Sequence, residues 1–450
     1  MNHELLDKYN IPAPRYTSYP TVPYWQPEPP AQTAWIKTVQ KAFTENNEIS
    51  LYIHLPYCEN LCTYCGCNKR ITKNHAVELP YIDTVLAEWK MYLNILPEKP
   101  VIREIHLGGG TPTFFSPENL HYLLSNILND AKIAEEYAFS FEAHPASTTY
   151  EHLKTLADLG FKRISIGVQD FDQEILKIIN RHQSYEQVKA AVDMSRELGY
   201  ESINFDLIFG LPLQTPQNII DNFEKLKVLK PDRIAFYSYA HVPWVKPSQR
   251  AYSEKDLPLG ADKRKLYELG RELLEKMGYH EIGMDHFALE NDELYIAFKK
   301  GTLHRNFMGY TPFSTELNLA LGASSISDSW YAFVQNEKKI EDYQQRIHAG
   351  EFPITKGHVL TKEDQIIRRH ILNIMCQFQT SWKNKNEQCD ALFAGLERLQ
   401  ELEADGLIER SPFQLKVTEK GSMFIRNICM AIDARYWANR PEGVLFSQVV

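Results

Sequence analysis

The chain has 450 residues, 44% of them hydrophobic and 24% charged, with a formal net charge of −9. This composition excludes a disordered chain, the acidic balance excludes a general nucleic-acid binder, and the length suggests two or three domains. No apolar run approaches the roughly 18 residues of a membrane helix, and the opening MNHELLDKYN is polar, unlike a secretory signal, so a cytoplasmic enzyme is expected.

The first fifty residues, rich in proline and aromatics, suit an extended arm over 1–47 laid on a domain. From position 51 a regular alternation begins. Apolar, β-prone runs occur at 51–55, 103–107, 137–143, 163–168, 202–208 and 233–238. Stretches with helical spacing lie between them at 77–95, 117–130, 149–159, 173–198 and 216–229. Gly160, Gly199 and Pro231 mark helix ends. Six strands alternating with helices predict a parallel sheet with right-handed crossovers, either doubly wound or a full or partial barrel. An amphipathic helix follows at 261–277, then irregular aromatic-rich sequence through 334 and a helix near 338–349. The region 355–450 reads as a smaller, mainly helical domain of winged-helix-like order, with no basic patch for DNA.

The polar residues gather at the strand ends, where α/β barrels place their reacting groups. The first strand runs into four cysteines spaced Cys-x3-Cys-x2-Cys-x-Cys: Cys58, Cys62, Cys65 and Cys67. The second ends in GGGTPT (108–113), and Glu142, Gln169 with Asp170, Asp206, and Tyr239 to His241 follow at the others. In a long chain without an export signal, such a cysteine cluster points to metal or catalysis rather than disulfides. Three thiolates at this spacing suit three irons of a [4Fe–4S] cluster, leaving one iron open. Structural zinc and an electron-transfer cluster on all four cysteines are the alternatives. Cys67 is read as unligated, because one intervening residue hinders Cys65 and Cys67 from reaching adjacent irons. Glycines 108–110 allow close backbone approach, with N–H groups for a carboxylate or a polar ligand.

Cys-x3-Cys-x2-Cys with Tyr64 before the last cysteine, and a glycine run after the next strand, resembles the radical S-adenosylmethionine (SAM) superfamily. PRYTSYPT (14–21), YCENLCTYCGCNK (57–69), HLGGGTPT (106–113), GVQDF (167–171), NFDLIFGLP (204–212), GMDHFA (283–288) and LHRNFMGYT (303–311) extend the likeness. Together they resemble the oxygen-independent coproporphyrinogen III dehydrogenases of haem biosynthesis, from about residue 8 to 431.

The resemblance implies a partial (β/α)6 TIM-like radical SAM barrel over 48–340, with an N-terminal arm that covers the active site and the smaller helical domain. It implies that Cys58, Cys62 and Cys65 ligate the cluster and that its open iron binds SAM, two molecules per chain. Cleavage of SAM gives a 5′-deoxyadenosyl radical that takes hydrogen from the β-carbon of a substrate propionate. Loss of CO2 and one electron leaves a vinyl group; done twice, this converts coproporphyrinogen III to protoporphyrinogen IX. By motif position Tyr52, Tyr64, Gly109, Gly110, Thr111, Glu142, Gln169, Arg181, Asp206, Ala240 and Ile326 are SAM contacts, and Glu142 also ranks with the catalytic residues. The substrate has four carboxylates, for which Arg15 and Arg305 are the candidate cations. A one-electron reductant such as flavodoxin or ferredoxin is the implied partner of a monomer, with neither nucleic acid nor membrane involved. One departure is visible: His144 precedes Pro145 where the better-known form has an acidic residue, and it is placed at the rim of the site. Two related readings remain, a haem chaperone and an anaerobic haem-degrading methyltransferase of the same superfamily. The chaperones usually lack the PRYTSYPT arm and a cysteine at the Cys67 position; the methyltransferase gives methylated products without CO2.

Overall fold

The six apolar runs form six parallel strands in a computed structural model that describes residues 3–244, 246–441, 443, 445–447 and 449. They are β1 (Glu48–Leu55), β2 (Val101–Gly109), β3 (Lys132–Ala143), β4 (Arg163–Gln169), β5 (Ser202–Phe209) and β6 (Arg233–Ser238). Each pairs in parallel with the next. Strands covered by helices bury most of their length, and Ile49, Leu51, Ile53 and Leu55 of β1 are inaccessible. Residues of β2 through β6 line one lumen of about 210 Å3. The sheet therefore curves into a partial barrel, one of the arrangements the βα repeat left open and the one the resemblance implies.

Four crossover helices match their expected places: Glu78–Ile95, Pro117–Asn129, Tyr150–Asp158 and Pro216–Leu229. Ser116, Thr149 and Thr215 cap three of them by accepting first-turn N–H groups. The single helix expected over 173–198 is instead two, Gln173–Ile178 and Tyr185–Glu197. Asn180 turns left-handed with φ 51°, and Ser184 restarts the helix through a capping box with Gln187. Arg181, in the break, reaches the cysteine loop.

The sheet is twice as wide as the sequence suggests. Six further strands are β7 (His280–Gly283), β8 (His286–Ala288), β9 (Leu317–Leu321), β10 (Ile326–Asp328), β11 (Ala332–Asn336) and β12 (Ile354–Val359). The order is β12-β11-β10-β9-β1-β2-β3-β4-β5-β6-β8-β7. Of the added strands, β9 joins in parallel to β1 and the rest are antiparallel. The stretch read as irregular through 334 thus carries one sheet edge, β7, while the other edge, β12, lies beyond it; its three-residue strands β8 and β10 are too short for alternation to show.

The arm also differs from expectation. Residues Gln32–Glu45 form a helix whose Trp35, Val39, Ala42 and Phe43 lie in the main core. Leu5, Tyr9, Tyr16 and Tyr19 enter a second core with Ile282, Tyr310 and the C-terminal Ile371, Leu392 and Ile428. The C-terminal region has the expected helices Lys362–Gln377 and Asp390–Arg398 before an antiparallel ribbon, Ile408–Ser411 with Gln414–Val417, to which Gln379–Ser381 adds a third strand. Buried Arg368 ties this region to the sheet, donating to Asp328 at 3.0 Å and stacking on Trp330 at 4.2 Å. No helix among the described residues is long and apolar enough to cross a membrane.

Candidate active site

β1 leads into the cysteine loop, which folds back where Tyr57–Cys58 pairs with Arg70–Ile71. Backbone contacts seat the loop on the glycine run: Gly110 N–H donates to Leu55 O at 2.8 Å, and Thr111 N–H to Tyr57 O at 2.9 Å. A Cβ on Gly110 would lie 2.6 Å from the Pro56 carbonyl carbon, and Gly109 has φ +113°, a region that L side chains avoid. The expected role of these N–H groups is met in part, within the chain itself. Gly109 N–H meets a carboxylate within the chain, Glu142 Oε2 at 3.2 Å, while Gly110 N–H is used in the sheet.

Above the strand ends lies a cavity of about 330 Å3 that brings together Cys58, Cys62, Cys65, Cys67, Tyr64, Gly109, Gly110, Thr111, Glu142, Gln169, Arg181 and Asp206. Cys58 Sγ lies 3.3 Å from Thr111 Oγ1, and Arg181 Nη1 donates to Cys62 Sγ at 3.6 Å and to Tyr64 OH at 3.2 Å. Burial pushes the Cys58 thiol up to about 11. Cys65 is held below the ordinary thiol value, first by the Cys67 thiol donating to it and then by Lys69. Cys67 itself is exposed. Among the described residues, no three His, Cys, Asp or Glu side chains are grouped to hold one metal ion, unlike a structural zinc site, whose ligands converge on one ion.

Glu142 and Asp206, two of the carboxylates that line this cavity, differ in their tendency to ionise. Burial would raise Glu142, but the His106 ring at 3.7 Å, Gly109 N–H and His54 outweigh it and hold the carboxyl below its usual value. Asp206 accepts from Ser165 Oγ at 3.0 Å and Asn204 Nδ2 at 2.9 Å, yet burial and then the Glu142 charge raise it to about 6. His144 also lines the cavity. Burial, then the charge of Arg181, pushes it down to about 3, and its Nδ1 accepts from Ala146 N–H at 3.2 Å. The ring is a neutral wall residue.

A second cavity of about 250 Å3 adjoins the first and shares Cys67, Gly109 and Glu142 with it. Tyr52 and Ile326 line this one. Tyr52 OH lies 3.1 Å from His54 Nδ1, and its ring stacks on His106. Ser324 and Ser325 are on the same wall, in a turn held by buried Glu88, which accepts from Gly322 N–H at 2.8 Å and Asn336 Nδ2 at 2.7 Å. Ala240 lines neither cavity: it is exposed after β6, and its carbonyl accepts from Gln249 at 3.1 Å.

Residues 52–226 match the radical SAM superfamily. Over nearly its full length the chain is similar to curated proteins named oxygen-independent coproporphyrinogen III oxidase. The one from Pseudomonas aeruginosa is 36% identical over 96% of this chain and 95% of its own; that from Escherichia coli K12 is 34% identical over 99% and 98%. The solved E. coli coproporphyrinogen III oxidase, HemN, described as a radical SAM enzyme, superposes with a TM-score of 0.88 over 93% of this chain and 97% of that one, at 34% identity.

The chain belongs to the oxygen-independent coproporphyrinogen III oxidases.

Membership of the radical SAM superfamily implies a [4Fe–4S] cluster and SAM for this oxidase. The donor set fits them: the thiols of Cys58, Cys62, Cys65 and Cys67 share one cavity with the Arg181 guanidinium and with carboxylates that include Glu142 and Asp206, and a thiol such as Cys58, pushed up to about 11 by burial, ionises readily only against a cation. Outside the two cavities, Arg15 pairs with Asp285. Arg305 is 5% exposed and stacks on Tyr310 at 4.5 Å. Its Nε and Nη1 have no partner among the described residues.

Sequence reasoning missed polar residues one layer below the strand ends, including Ser165 and Tyr237 in the first cavity and Asn318 in the second. Ser165 alternates with Gly167 and Gln169, so period-2 spacing could have found it; Asn318 lies in a strand that went unrecognised. Lys263 was missed as well. It donates to Tyr239 O at 2.6 Å, and burial, then the neighbouring charge of Arg15, lowers it to about 8.

Proposed function

We propose that the chain carries out the oxygen-independent oxidative decarboxylation of coproporphyrinogen III in haem biosynthesis, converting two propionates to vinyl groups and giving protoporphyrinogen IX. The observation that carries this reading is the cavity joining Cys58, Cys62 and Cys65 to Glu142, Gln169, Arg181 and Asp206. Each propionate gives up one hydrogen atom from its β-carbon, one CO2 and one electron, which leaves a carbon–carbon double bond. The bound cluster and SAM supply the 5′-deoxyadenosyl radical that takes the hydrogen.

The protein's own residues bind, orient and exclude water. Cys58, Cys62 and Cys65 hold the cluster, with Cys67 unligated. Tyr64, Gly110, Thr111, Gln169, Arg181 and Asp206 bind the SAM molecule beside it. Tyr52, Gly109 and Ile326 bind a second SAM in the adjoining cavity, and Glu142 stands where the two cavities meet. Support for two SAM molecules is this division of the candidate contacts between neighbouring cavities. Ala240 is not assigned. The arm lies over the pocket, with Arg15 and Arg305 receiving substrate carboxylates. Support comes from the unpartnered nitrogens of buried Arg305 and from Arg15 already holding a carboxylate, that of Asp285. The chain works as a cytoplasmic monomer with flavodoxin or ferredoxin as electron donor.

Substrate deuterated at the propionate β-carbons tests the assignment. Deuterium found in the 5′-deoxyadenosine supports it; CO2 release with unlabelled nucleoside overturns the hydrogen-abstraction step.

A further inference from the structure

The cavity beside the cysteine pocket contains a buried oxygen that the chain does not satisfy. Asn318, on β9, is 4% exposed and lines that cavity, yet its Oδ1 has no hydrogen-bond partner among the described residues. Buried acceptors without donors are costly and rare, so this oxygen offers a place for a donor that the described residues do not supply. Register fixes its depth: Ser50 is the β1 partner of Asn318, whereas Tyr52 is opposite Ala320. Asn318 therefore stands one pleat deeper than Tyr52, while Glu142 and Cys67 mark the opening shared with the first cavity. Phe307, Met308 and Ile326 supply the apolar part of the lining, which also carries Tyr52, His54, Asn68, Ser324 and Ser325.

Apolar side chains beside a deep, unpaired acceptor suit a flat base carrying an amine, and the carboxylate at the mouth suits a charged amino-acid moiety. We infer that Asn318 is a binding residue for the adenine of a second SAM molecule, with Oδ1 accepting from the exocyclic amine while Phe307, Met308 and Ile326 enclose the ring. The inference rests on the two-SAM reading above. It makes the cavity selective for an amino-purine over an oxo-purine, because a purine carbonyl would face Oδ1 with a second acceptor.

Equilibrium dialysis of the cluster-loaded protein against radiolabelled SAM, without substrate or reductant, reads binding directly. Wild type is expected to show two sites. N318L weakens one of them about tenfold or more and leaves the other site and the cluster absorbance unchanged. S-inosylmethionine, with a carbonyl in place of the amine, weakens that same site in wild type by a similar factor and adds nothing in N318L. The wild-type arm of this purine exchange needs no substitution, so it decides the question even if N318L folds poorly. Two sites that ignore both the substitution and the purine exchange overturn the role of Asn318 and leave the two-SAM reading standing. A single site in wild type overturns the reading on which the inference rests.

Discussion

Backbone contact seats the cysteine loop on the glycine run, so Gly110→Ala should unseat it. The added Cβ would lie 2.6 Å from Pro56 C, and 2.7 Å from both Pro56 O and Tyr57 O. Moving from 2.6 Å to the 3.4 Å of ordinary contact requires a shift of about 0.8 Å, and the atoms that must shift are backbone. They immediately precede Cys58, and the same carbonyls accept Arg70 N–H at 2.8 Å and Thr111 N–H at 2.9 Å. Overpacking of this kind costs about 1–3 kcal/mol, and the stiffer unfolded chain returns about 0.4–1 kcal/mol, for a net loss of about 1–2 kcal/mol. Urea denaturation of the apoprotein measures that loss, and iron per chain after reconstitution measures the damage to the loop. Gly66→Ala is the control within the same loop: its Cβ would meet nothing within 4 Å, so stability should hold within about 0.5 kcal/mol and iron content should not change. G110A matching wild type in both measurements would refute the reasoning.

Further outcomes follow from the same geometry. Cys67→Ala should keep the full cluster by iron content and absorbance, whereas Cys62→Ala loses it; loss in both would make Cys67 a ligand. Asp206 accepts from SAM most strongly when ionised, and its carboxyl is raised to about 6. SAM affinity should therefore rise by about tenfold as pH increases through that value, and D206N should flatten the rise in a binding titration. An unchanged pH profile in D206N would assign the dependence elsewhere. Arg181→Met removes the donor to Cys62 Sγ at 3.6 Å and should shift the cluster potential negative in a redox titration, with Arg181→Lys closer to wild type. Arg15→Met should raise KM for the porphyrinogen by about tenfold or more while substrate-free SAM cleavage persists; an unchanged KM removes Arg15 from the substrate site. This single substitution is a cleaner test than deleting residues 1–25, because Leu5, Tyr9, Tyr16 and Tyr19 belong to the second core.

The parts legible in the sequence were those specified locally. β1 through β6 could be read because parallel strands covered by helices become apolar runs, and the cysteine loop and glycine run because their spacing is the chemistry. The break after Ile178 was hidden because it contains neither glycine nor proline, although Ser184 with Gln187 is a capping signature. Two of the added strands were hidden for a different reason: β8 and β10 have three residues each, and such pieces take their conformation from neighbouring strands rather than from their own pattern. The second cavity shared that fate. Tyr52 and Glu142 lie on recognisable strands, but the wall carrying Asn318 and Ile326 exists only once β9 and β10 have paired. Arg15 and Asp285, 270 positions apart, meet only in the folded chain.

The central claim is tested most directly by anaerobic incubation of the reconstituted protein with coproporphyrinogen III, SAM and a strong one-electron reductant, followed by mass spectrometry of tetrapyrroles and nucleosides. Loss of two CO2 from the tetrapyrrole together with 5′-deoxyadenosine is expected, both abolished in Cys62→Ala. Formation of 5′-deoxyadenosine without decarboxylation would contradict the substrate assignment, and tight haem binding with neither product would contradict the activity itself.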